Sequence, residues 1–375
     1  MTNGIPPQRR QGAPQARAPQ IVTDRPVGQQ GPFHVHLSDQ ARAWLNDNNL
    51  SLVFTTYTLG KVVMIGPGNA GMLSACERNF GRAMALVPTA KGFYLSTLFQ
   101  VWRFEHSLPP GVRVNQHWDR LYMPRSCHVT GNVDVHDLHQ HADGGLLAAI
   151  TQYNCIATLD ERGNFSPVWR PAFIDKMVGE DRCHLNGFCM ENGEIAYVTA
   201  VSETNEANRW RDKRADGGVV IDAKTKEIVA RGLAMPHTPR LYRDRLWIVE
   251  AGKGWFGYID RASGKFEHVT WCPGFLRGLR FYGKYALLGM SLPRNQIFAG
   301  LPLDELLKEN SAESECAIYV IDLDRGTVVY RIRITGSVTE IYDMIVLEET
   351  RQPMMIGLEG QEVLRFVYLG PDTSS

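Results

Sequence analysis

Apolar and polar positions follow a strand-like rhythm along almost the whole chain. Runs of four to eight residues rich in Val, Ile, Tyr and Phe alternate with Gly, Asp and Asn turns, as in S-L-V-F-T-T-Y from Ser51 and A-I-Y-V-I-D-L from Ala317. Short strands with turn signals between them are typical of an all-β sandwich, barrel or propeller.

One helix is predicted ahead of these strands. Ser38 is a suitable N-cap for a helix from Asp39 to Asp47, which places Ala41, Trp44 and Leu45 on one face. This apolar face predicts that the helix packs against the β structure.

A unit of two hairpins recurs along the chain. Its first strand begins near six anchor residues, which lie 54, 48, 53, 40 and 65 positions apart: Arg82, His136, His184, His237, Arg277 and Tyr342. Two hairpins form a four-stranded antiparallel sheet, and the spacing is close to the roughly 40 to 50 residues of a propeller blade. We therefore predict an all-β protein, a β-propeller with six blades, although the strands at the two ends also permit seven.

The ends of the chain are predicted to share one blade. Strands within Ser51 to Phe80 run directly into the Arg82 strand, as the outer strands of a blade would. The last strands, Glu340 to Tyr368, would then be the inner part of the same blade.

Two segments lie outside the repeat. Residues 1–32 are rich in Pro, Gln, Gly and Arg and cannot bury enough apolar surface to offset their ordering entropy, so they are predicted to be a disordered tail before a single propeller domain at 33–370. Residues 292–310 are an insertion whose second half, Leu303 to Lys308, has the pattern of a short amphipathic helix. A lid over one face and a surface decoration both fit this insertion.

Several long motifs resemble a known family. D-V-H-D-L, E-D-R-C-H-L-N-G and M-P-H-T-P-R are similar to motifs of an uncharacterised family of bacterial conserved hypothetical proteins, and the resemblance extends from about Phe33 to the C-terminus. The resemblance implies propeller-like β repeats. It implies no activity.

The repeat predicts that three histidines meet. The first strand of each blade lines the central channel, so His136, His184 and His237 of successive blades would face one point. Three neutral imidazoles suit a divalent transition metal such as Fe, Zn or Cu and leave coordination positions open for water or substrate. The alternative is that these histidines are hydrogen-bonded structural residues.

Polar neighbours of the histidines suggest an anionic substrate. Arg82 and Arg277 would flank the histidines, and Arg240 and Asn186 follow two of them closely. The forked donors of arginine suit a carboxylate or phosphate. Alternatively, Arg277 pairs with Glu340 or Asp343 in a structural salt bridge.

Candidate catalytic groups lie near the end of the chain. In T-E-I-Y-D, the residues Glu340, Tyr342 and Asp343 could act as acid, base or hydrogen-bond donor across the ring. The basic and aromatic run R-W-R-D-K-R from Arg209 is interpreted as a solvated loop, because acidic residues lie close to it.

Composition narrows the class of protein. The chain has 40 Lys and Arg against 40 Asp and Glu, which argues against nucleic acid as a partner. No apolar run approaches the roughly 20 residues of a membrane span. The seven cysteines are odd in number and lack C-x-x-C spacing, which indicates reduced thiols and a cytoplasmic protein.

Two functions remain open at this level. The first is a metal-dependent oxygenase, lyase or hydrolase that acts on an anionic small molecule or peptide at the channel; a metal-free version would use histidine and tyrosine as acid and base. The second is a non-catalytic binding module that holds a protein or peptide partner through the 203–218 loop or the 292–310 insertion.

Overall fold

A computed structural model describes residues 32–369 apart from 142, 295–297 and 299. The predicted tail therefore lies, except for Pro32, outside the described residues. The described part is built almost entirely of β-strands, as the alternation of apolar runs and turns predicts.

The elements follow one another in the order of the repeat. Strand β1 (Phe33–Leu37) and helix α1 (Asp39–Asp47) come first. The next strands are β2 (Ser51–Thr56), β3 (Lys61–Pro67), β4 (Leu73–Asn79), β5 (Leu86–Thr89), β6 (Gly92–Ser96), β7 (Gln100–His106), β8 (Arg120–Val129), β9 (Val135–Gln140), β10 (Leu146–Ile150), β11 (Cys155–Leu159) and β12 (Ser166–Trp169). They are followed by β13 (Leu185–Glu191), β14 (Glu194–Ala200), β15 (Gly218–Asp222), β16 (Ile228–Leu233), β17 (Pro236–Tyr242), β18 (Arg245–Glu250), β19 (Trp255–Ile259), β20 (Phe266–Trp271), β21 (Phe275–Tyr282) and β22 (Tyr285–Ser291). The last elements are α2 (Leu303–Glu309), β23 (Cys316–Asp322), β24 (Thr327–Gly336), β25 (Met344–Leu347), β26 (Pro353–Met355) and α3 (Glu362–Arg365).

The strands of the described part form six sheets, which are the blades of a propeller. Blade 1 is β25-β2-β3-β4, blade 2 is β5 to β8, and blades 3 to 6 are β9 to β12, β13 to β16, β17 to β20 and β21 to β24. The first strands β5, β9, β13, β17, β21 and β25 contact one another in this order and return to β5, so the ring is closed. The prediction of a six-bladed β-propeller is confirmed, and the seven-bladed alternative is excluded.

Blade 1 joins the two ends of the chain. Strand β25 pairs with β2 along Ser51 to Phe54, so that one C-terminal strand completes three N-terminal ones. The prediction that all the last strands belong to this blade is wrong. Strand β26 lies outside blade 1 and pairs in parallel with β8 at the edge of blade 2. Next to it, the Asp119 carboxylate accepts hydrogen bonds from the backbone of Arg351 and Gln352.

The hydrophobic core lies between neighbouring blades. Each blade is covered on both faces, which explains why all six residues of β2 are buried. Val53 of β2 packs towards Phe93 of blade 2, whereas Leu52 and Phe54 pack towards Ile318 of blade 6. This alternation lets one continuous apolar run serve two separate clusters.

Helix α1 follows the sequence prediction closely. The Ser38 hydroxyl accepts a hydrogen bond from the Ala41 backbone, and Ala41, Trp44 and Leu45 are the buried residues of the helix. Trp44 and Leu45 pack in the cluster between blades 6 and 1. Across the described ranges, no helix has the length and apolar character needed to cross a bilayer.

Candidate functional site

Two layers of side chains surround the mouth of the central channel. Four residues lie five positions before the end of the first strand of their blade: Asn186, His237, Arg277 and Tyr342. His136 lies four positions before the end of β9, and the turn that follows β9 is longer than the others. These five residues are equivalent by position and form the inner layer. The mouth layer lies about two residues earlier and contains Arg82, Asp134, His184, Met235, Phe275 and Glu340.

The predicted register is therefore wrong for His184 and Arg82. The residue of blade 4 that matches His136 and His237 is Asn186, since the ladders of β9, β13 and β17 all shift by one residue near this position. Counting back from the turn aligns His184 with His136 because the turn after β9 is longer than the turn after β13. His184 precedes the strand and has a left-handed φ of 51°. Arg82, Asp134 and Met235 of the mouth layer share this backbone conformation, so the chain turns in the same way where it enters several blades.

The three histidines nevertheless lie close together. The ring centroids of His136 and His184 are 4.8 Å apart, and those of His136 and His237 are 6.2 Å apart. Burial is the main cause that lowers the pKa of His136 to about 4, and it also holds the pKa of His237 well below its usual value. Both rings are therefore neutral at pH 7.

Hydrogen bonds define the tautomer of His136. Its Nδ1 lies 2.8 Å from the Thr151 hydroxyl oxygen and 3.2 Å from the backbone carbonyl oxygen of Asp134. The Thr151 hydroxyl donates its own hydrogen to the carbonyl of Leu185, so it accepts from His136. Nδ1 therefore carries the proton, and Nε2 is left with a lone pair.

His184 forms a dyad with a carboxylate. Its Nδ1 donates to Asp181 Oδ2 at 2.7 Å, and the other carboxylate oxygen accepts a hydrogen bond from the His184 backbone at 3.0 Å. The imidazole also stacks on the indole of Trp210, with ring centroids 4.0 Å apart. His184 Nε2 is thereby left as a hydrogen-bond acceptor.

A cavity of about 370 Å³ opens beside these rings. Its lining combines residues of both layers with side chains from the loop of blade 4 and from the insertion of blade 6. It includes Tyr57, Asp134, His136, Asp181, His184, Trp210, Arg211, Arg214, Met235, Phe275, Arg277, Leu292, Arg294, Phe298, Leu301, Glu340 and Tyr342. This volume suits a small ligand.

Arg277 is held by aromatic rings. Its guanidinium lies 4.9 Å from the ring centroid of Tyr342 and 5.3 Å from that of Phe275, and among the described residues it forms no ion pair with a carboxylate. The predicted alternative of a salt bridge to Glu340 or Asp343 is wrong. Those carboxylates pair instead with Arg294 at 3.2 Å and Arg280 at 2.9 Å.

Three predicted site residues lie away from the cavity. The Arg240 guanidinium binds Asp137 through two hydrogen bonds of 2.9 Å, and Asp343 accepts from Arg280 and from the Leu86 backbone. Asn186 donates to the Pro236 carbonyl and accepts from the Thr199 hydroxyl. None of the three lines the cavity, because each is buried and already bound to protein groups.

The remaining predicted residues border the cavity or lie just behind it. Glu340 accepts hydrogen bonds from the Thr58 backbone and hydroxyl, and the Tyr342 hydroxyl donates to the His136 carbonyl at 3.0 Å. Arg82 lies 3.5 Å from Asp134, and its guanidinium covers the ring of Tyr57. Burial raises the pKa of Tyr342 well above its usual value, so this hydroxyl stays protonated.

The metal-binding prediction lacks a matching donor set. Across the described ranges, no group of three or more His, Cys, Asp or Glu side chains is arranged to hold a metal ion. His237 Nε2 is buried and has no hydrogen-bond partner in the part of the chain that the structure describes, and His237 does not line the cavity.

Several residues at or beside the cavity carry little signal that predicts their role from the sequence. Trp210 belongs to the run interpreted as a solvated loop, yet it is only 5% exposed and packs on His184. Tyr57 lines the cavity and Thr151 holds His136 from outside it, and both lie in stretches with no distinctive motif. The position of Trp210 between two arginines was the one feature that could have indicated a ligand-binding role. The acidic residues close to it led instead to the interpretation of a solvated loop.

Comparison with solved structures gives distant matches only. A chain of the nidogen/laminin complex matches with a TM-score of 0.49 at 14% identity, covering 80% of this chain and 99% of that one. Virginiamycin B lyase from Staphylococcus aureus matches with a TM-score of 0.38 at 13% identity, covering 64% and 73%. The computationally designed Ika8 protein matches with a TM-score of 0.36 at 11% identity, covering 80% of each chain. The fold assignment rests on the sheet order and not on these likenesses.

Comparison at the level of sequence identifies the family. No curated protein matches the chain. The model of a domain of unknown function, DUF4915, matches residues 39–356, which include all six blades. The chain therefore belongs to the DUF4915 family.

Proposed function

We propose that this protein is an enzyme that acts on an anionic small molecule or peptide in the channel-mouth cavity, with His184 as the proton acceptor. The observation that carries the proposal is that a histidine–carboxylate dyad and an arginine with no carboxylate partner among the described residues line the same cavity. The reaction class is proton abstraction, leading either to elimination or to hydrolysis by an activated water.

The dyad supports a role in proton transfer. Asp181 keeps the Nδ1 proton of His184 in place, so the lone pair on Nε2 can accept a proton. The same carboxylate would stabilise the imidazolium that forms. The other predicted acid–base residues are less available, because Glu340 is bound by Arg294 and Thr58, and the Tyr342 hydroxyl is bound to the His136 carbonyl.

Arg277 supports an anionic substrate. A guanidinium stacked on an aromatic face keeps its N–H donors in its own plane, where they can bind a carboxylate or phosphate. Arg294 is a weaker candidate since it already pairs with Glu340.

A divalent transition metal, Fe, Zn or Cu, bound by His136, His184 and His237 is the second form of the proposal. It is supported by the proximity of the rings and by their anchored Nδ1 atoms, since ligating imidazoles are oriented through their second nitrogen. The absence of a preformed donor set in the described part favours the metal-free form. Such a metal would act as a Lewis acid on substrate or water.

The alternative of a pure binding module has less support. Both segments considered as docking sites for a partner contribute to the cavity: Trp210, Arg211 and Arg214 come from the 203–218 loop, and Leu292 and Leu301 from the insertion. Their best-supported role is to shape a small-molecule site. A cytoplasmic location fits this proposal, since all seven cysteines are free.

The test compares wild-type protein with His184→Asn in a bacterial metabolite extract analysed by mass spectrometry. Asn is chosen because it tolerates the left-handed backbone of His184. We expect an anion to be consumed by the wild type and about 10²-fold more slowly by the variant. His268→Asn, a half-exposed histidine on blade 5, is the matched control. Equal consumption by His184→Asn would overturn the proposal.

Metal analysis separates the two forms. A stoichiometric metal that is lost from variants of His136, His184 and His237 selects the metal-dependent form. Turnover that persists after complete chelation selects the metal-free form.

A further inference from the structure

The cavity contains polar atoms that lack partners in the described protein. Arg277 Nε, Trp210 Nε1 and Asp134 Oδ1 are all buried and form no hydrogen bond with a described residue, although Asp134 Oδ1 lies 3.5 Å from Arg82 Nη1 in an ion pair. Buried polar atoms are nearly always paired, by protein, water or ligand. These three residues line one cavity, so a ligand bound there lies beside a guanidinium, an indole and a carboxylate.

The unpaired atoms include both donors and acceptors. The N–H groups of Arg277 and Trp210 can only donate, whereas the Asp134 carboxylate oxygen can only accept. The Nε2 atoms of His136 and His184 are acceptors as well, because their Nδ1 atoms carry the protons. A ligand that satisfies this set needs an anionic acceptor and also a hydrogen-bond donor.

The donor and acceptor sides lie around the same histidine. Asp134 Oδ2 is 3.6 Å from His136 Nδ1, and Arg277 covers the ring of Tyr342, whose hydroxyl binds the His136 carbonyl. Both contacts therefore lie near His136, which favours an anionic group and a donor close to each other on the ligand skeleton.

The rest of the lining is apolar. Met235, Phe275, Leu292, Phe298 and Leu301 border the cavity, and the rings of Phe275 and Phe298 stack with centroids 6.3 Å apart. These side chains favour an apolar body on the ligand.

We infer that the cavity binds a carboxylic acid that carries a hydroxyl or nitrogen donor next to the carboxylate and an apolar side chain. The carboxylate binds Arg277, the donor binds Asp134 or His136, and the side chain packs on the apolar wall. Free 2-hydroxy and 2-amino acids have this chemistry, and so does the C-terminal residue of a peptide. A phosphate is disfavoured, since Asp134, Asp181 and Glu340 border the same space. The inference rests on the proposed function and specifies its substrate.

The experiment measures binding by calorimetry with probes that differ in one group. 3-Phenyllactate and phenylalanine carry the carboxylate and the donor, 3-phenylpropionate lacks the donor, 3-phenylpropane-1,2-diol lacks the carboxylate, and phenyl phosphate replaces the carboxylate. Glycyl-phenylalanine distinguishes a peptide terminus from a free acid. We expect 3-phenyllactate to bind about tenfold or more tightly than 3-phenylpropionate, and the diol not to bind.

Two variants assign the groups. Asp134→Asn keeps a residue that tolerates the left-handed φ of 58°, and it should reduce the advantage of 3-phenyllactate over 3-phenylpropionate to about threefold or less. Arg277→Gln should lower the affinity for every carboxylate probe about tenfold or more. Arg243→Gln is the matched control, because the exposed Arg243 pairs with Asp324 and does not line the cavity, and it should change affinity less than about threefold.

The outcomes separate this inference from the proposed function. Equal binding of 3-phenyllactate and 3-phenylpropionate, or tighter binding of phenyl phosphate, overturns the inference, while a loss of affinity in Arg277→Gln would still support the anion site. Failure of all carboxylates to bind at about 10 mM also overturns the inference. Only the metabolite test with His184→Asn can overturn the proposed function.

Discussion

One carboxylate holds His184 at two points: Asp181 binds the imidazole Nδ1 at 2.7 Å and the backbone N–H of the same residue at 3.0 Å. The backbone contact supports a left-handed residue at the entrance of β13, and the side-chain contact orients the ring towards the cavity. The position and the tautomer of the proposed proton acceptor therefore depend on a single side chain.

Asp181→Asn should disturb His184 more than it disturbs the fold. The amide can accept one of the two hydrogen bonds but not both, so we expect the free energy of unfolding to fall by about 1–3 kcal/mol. The imidazole should also lose its strict Nδ1–H form, which ¹⁵N NMR of the histidine side chains can measure. Asp143→Asn, on an exposed turn, is the control; an unchanged His184 spectrum in Asp181→Asn would contradict the dyad.

Acid should destabilise the protein through its buried histidines. The unfolded chain binds a proton at His136 near pH 6.5, whereas the folded protein does so only near pH 4, so unfolding becomes more favourable as the pH falls between these values. The contribution of His136 amounts to about 3 kcal/mol across this window. His237 acts in the same direction.

Chemical denaturation at several pH values measures this effect. His136→Asn should show a shallower loss of stability between pH 6.5 and pH 4 than the wild type, and His268→Asn should match the wild type. Parallel curves for the wild type and His136→Asn would show that the ring is not buried in its neutral form.

Arg240 should prove essential for stability and dispensable for ligand binding. Arg240→Met leaves Asp137 buried without its cation, which costs about 3–5 kcal/mol. The double variant Asp137→Leu, Arg240→Met should be more stable than Arg240→Met. Urea unfolding tests this, with Arg243→Met of the exposed Arg243–Asp324 pair as a control that costs less than about 1 kcal/mol.

Ligand binding provides the second readout for Arg240. If folded Arg240→Met protein loses affinity for anionic ligands as Arg277→Gln does, then the substrate-binding role predicted from the sequence is correct after all.

Thiol reactivity should single out one cysteine. Cys127 is exposed, whereas the other six cysteines are buried, and none of the seven forms a disulfide. An aromatic disulfide reagent should therefore titrate one thiol in the native protein and seven in denaturant. Cys127→Ser should abolish the fast phase; fast reaction of a second thiol in the native protein would contradict the burial of the others.

The fold could be predicted because its signals are local and repeated. Apolar runs and turns specify the hairpins, and the spacing of the anchors implies a ring, since only a closed array lets units of this length cover each other's faces. Proximity of His136, His184 and His237 followed from that ring. The route of β26 could not be predicted, because a three-residue strand of P-M-M carries no signal for which blade it will join.

The chain's own residues determined a β-propeller of six or seven blades, a blade shared by the two ends of the chain, and a cluster of histidines and arginines at the channel. The structure decided that the blades number six and that one C-terminal strand closes the ring. Tertiary structure alone decided that Asn186 and not His184 matches His136, since the hairpin turn after β9 is longer than the turn after β13 and a count of residues back from the two turns is therefore misaligned. It also decided that Arg240 is bound to Asp137 while Arg277 has no acid partner among the described residues, because the partner of a charge is selected by distances across blades that are far apart in sequence.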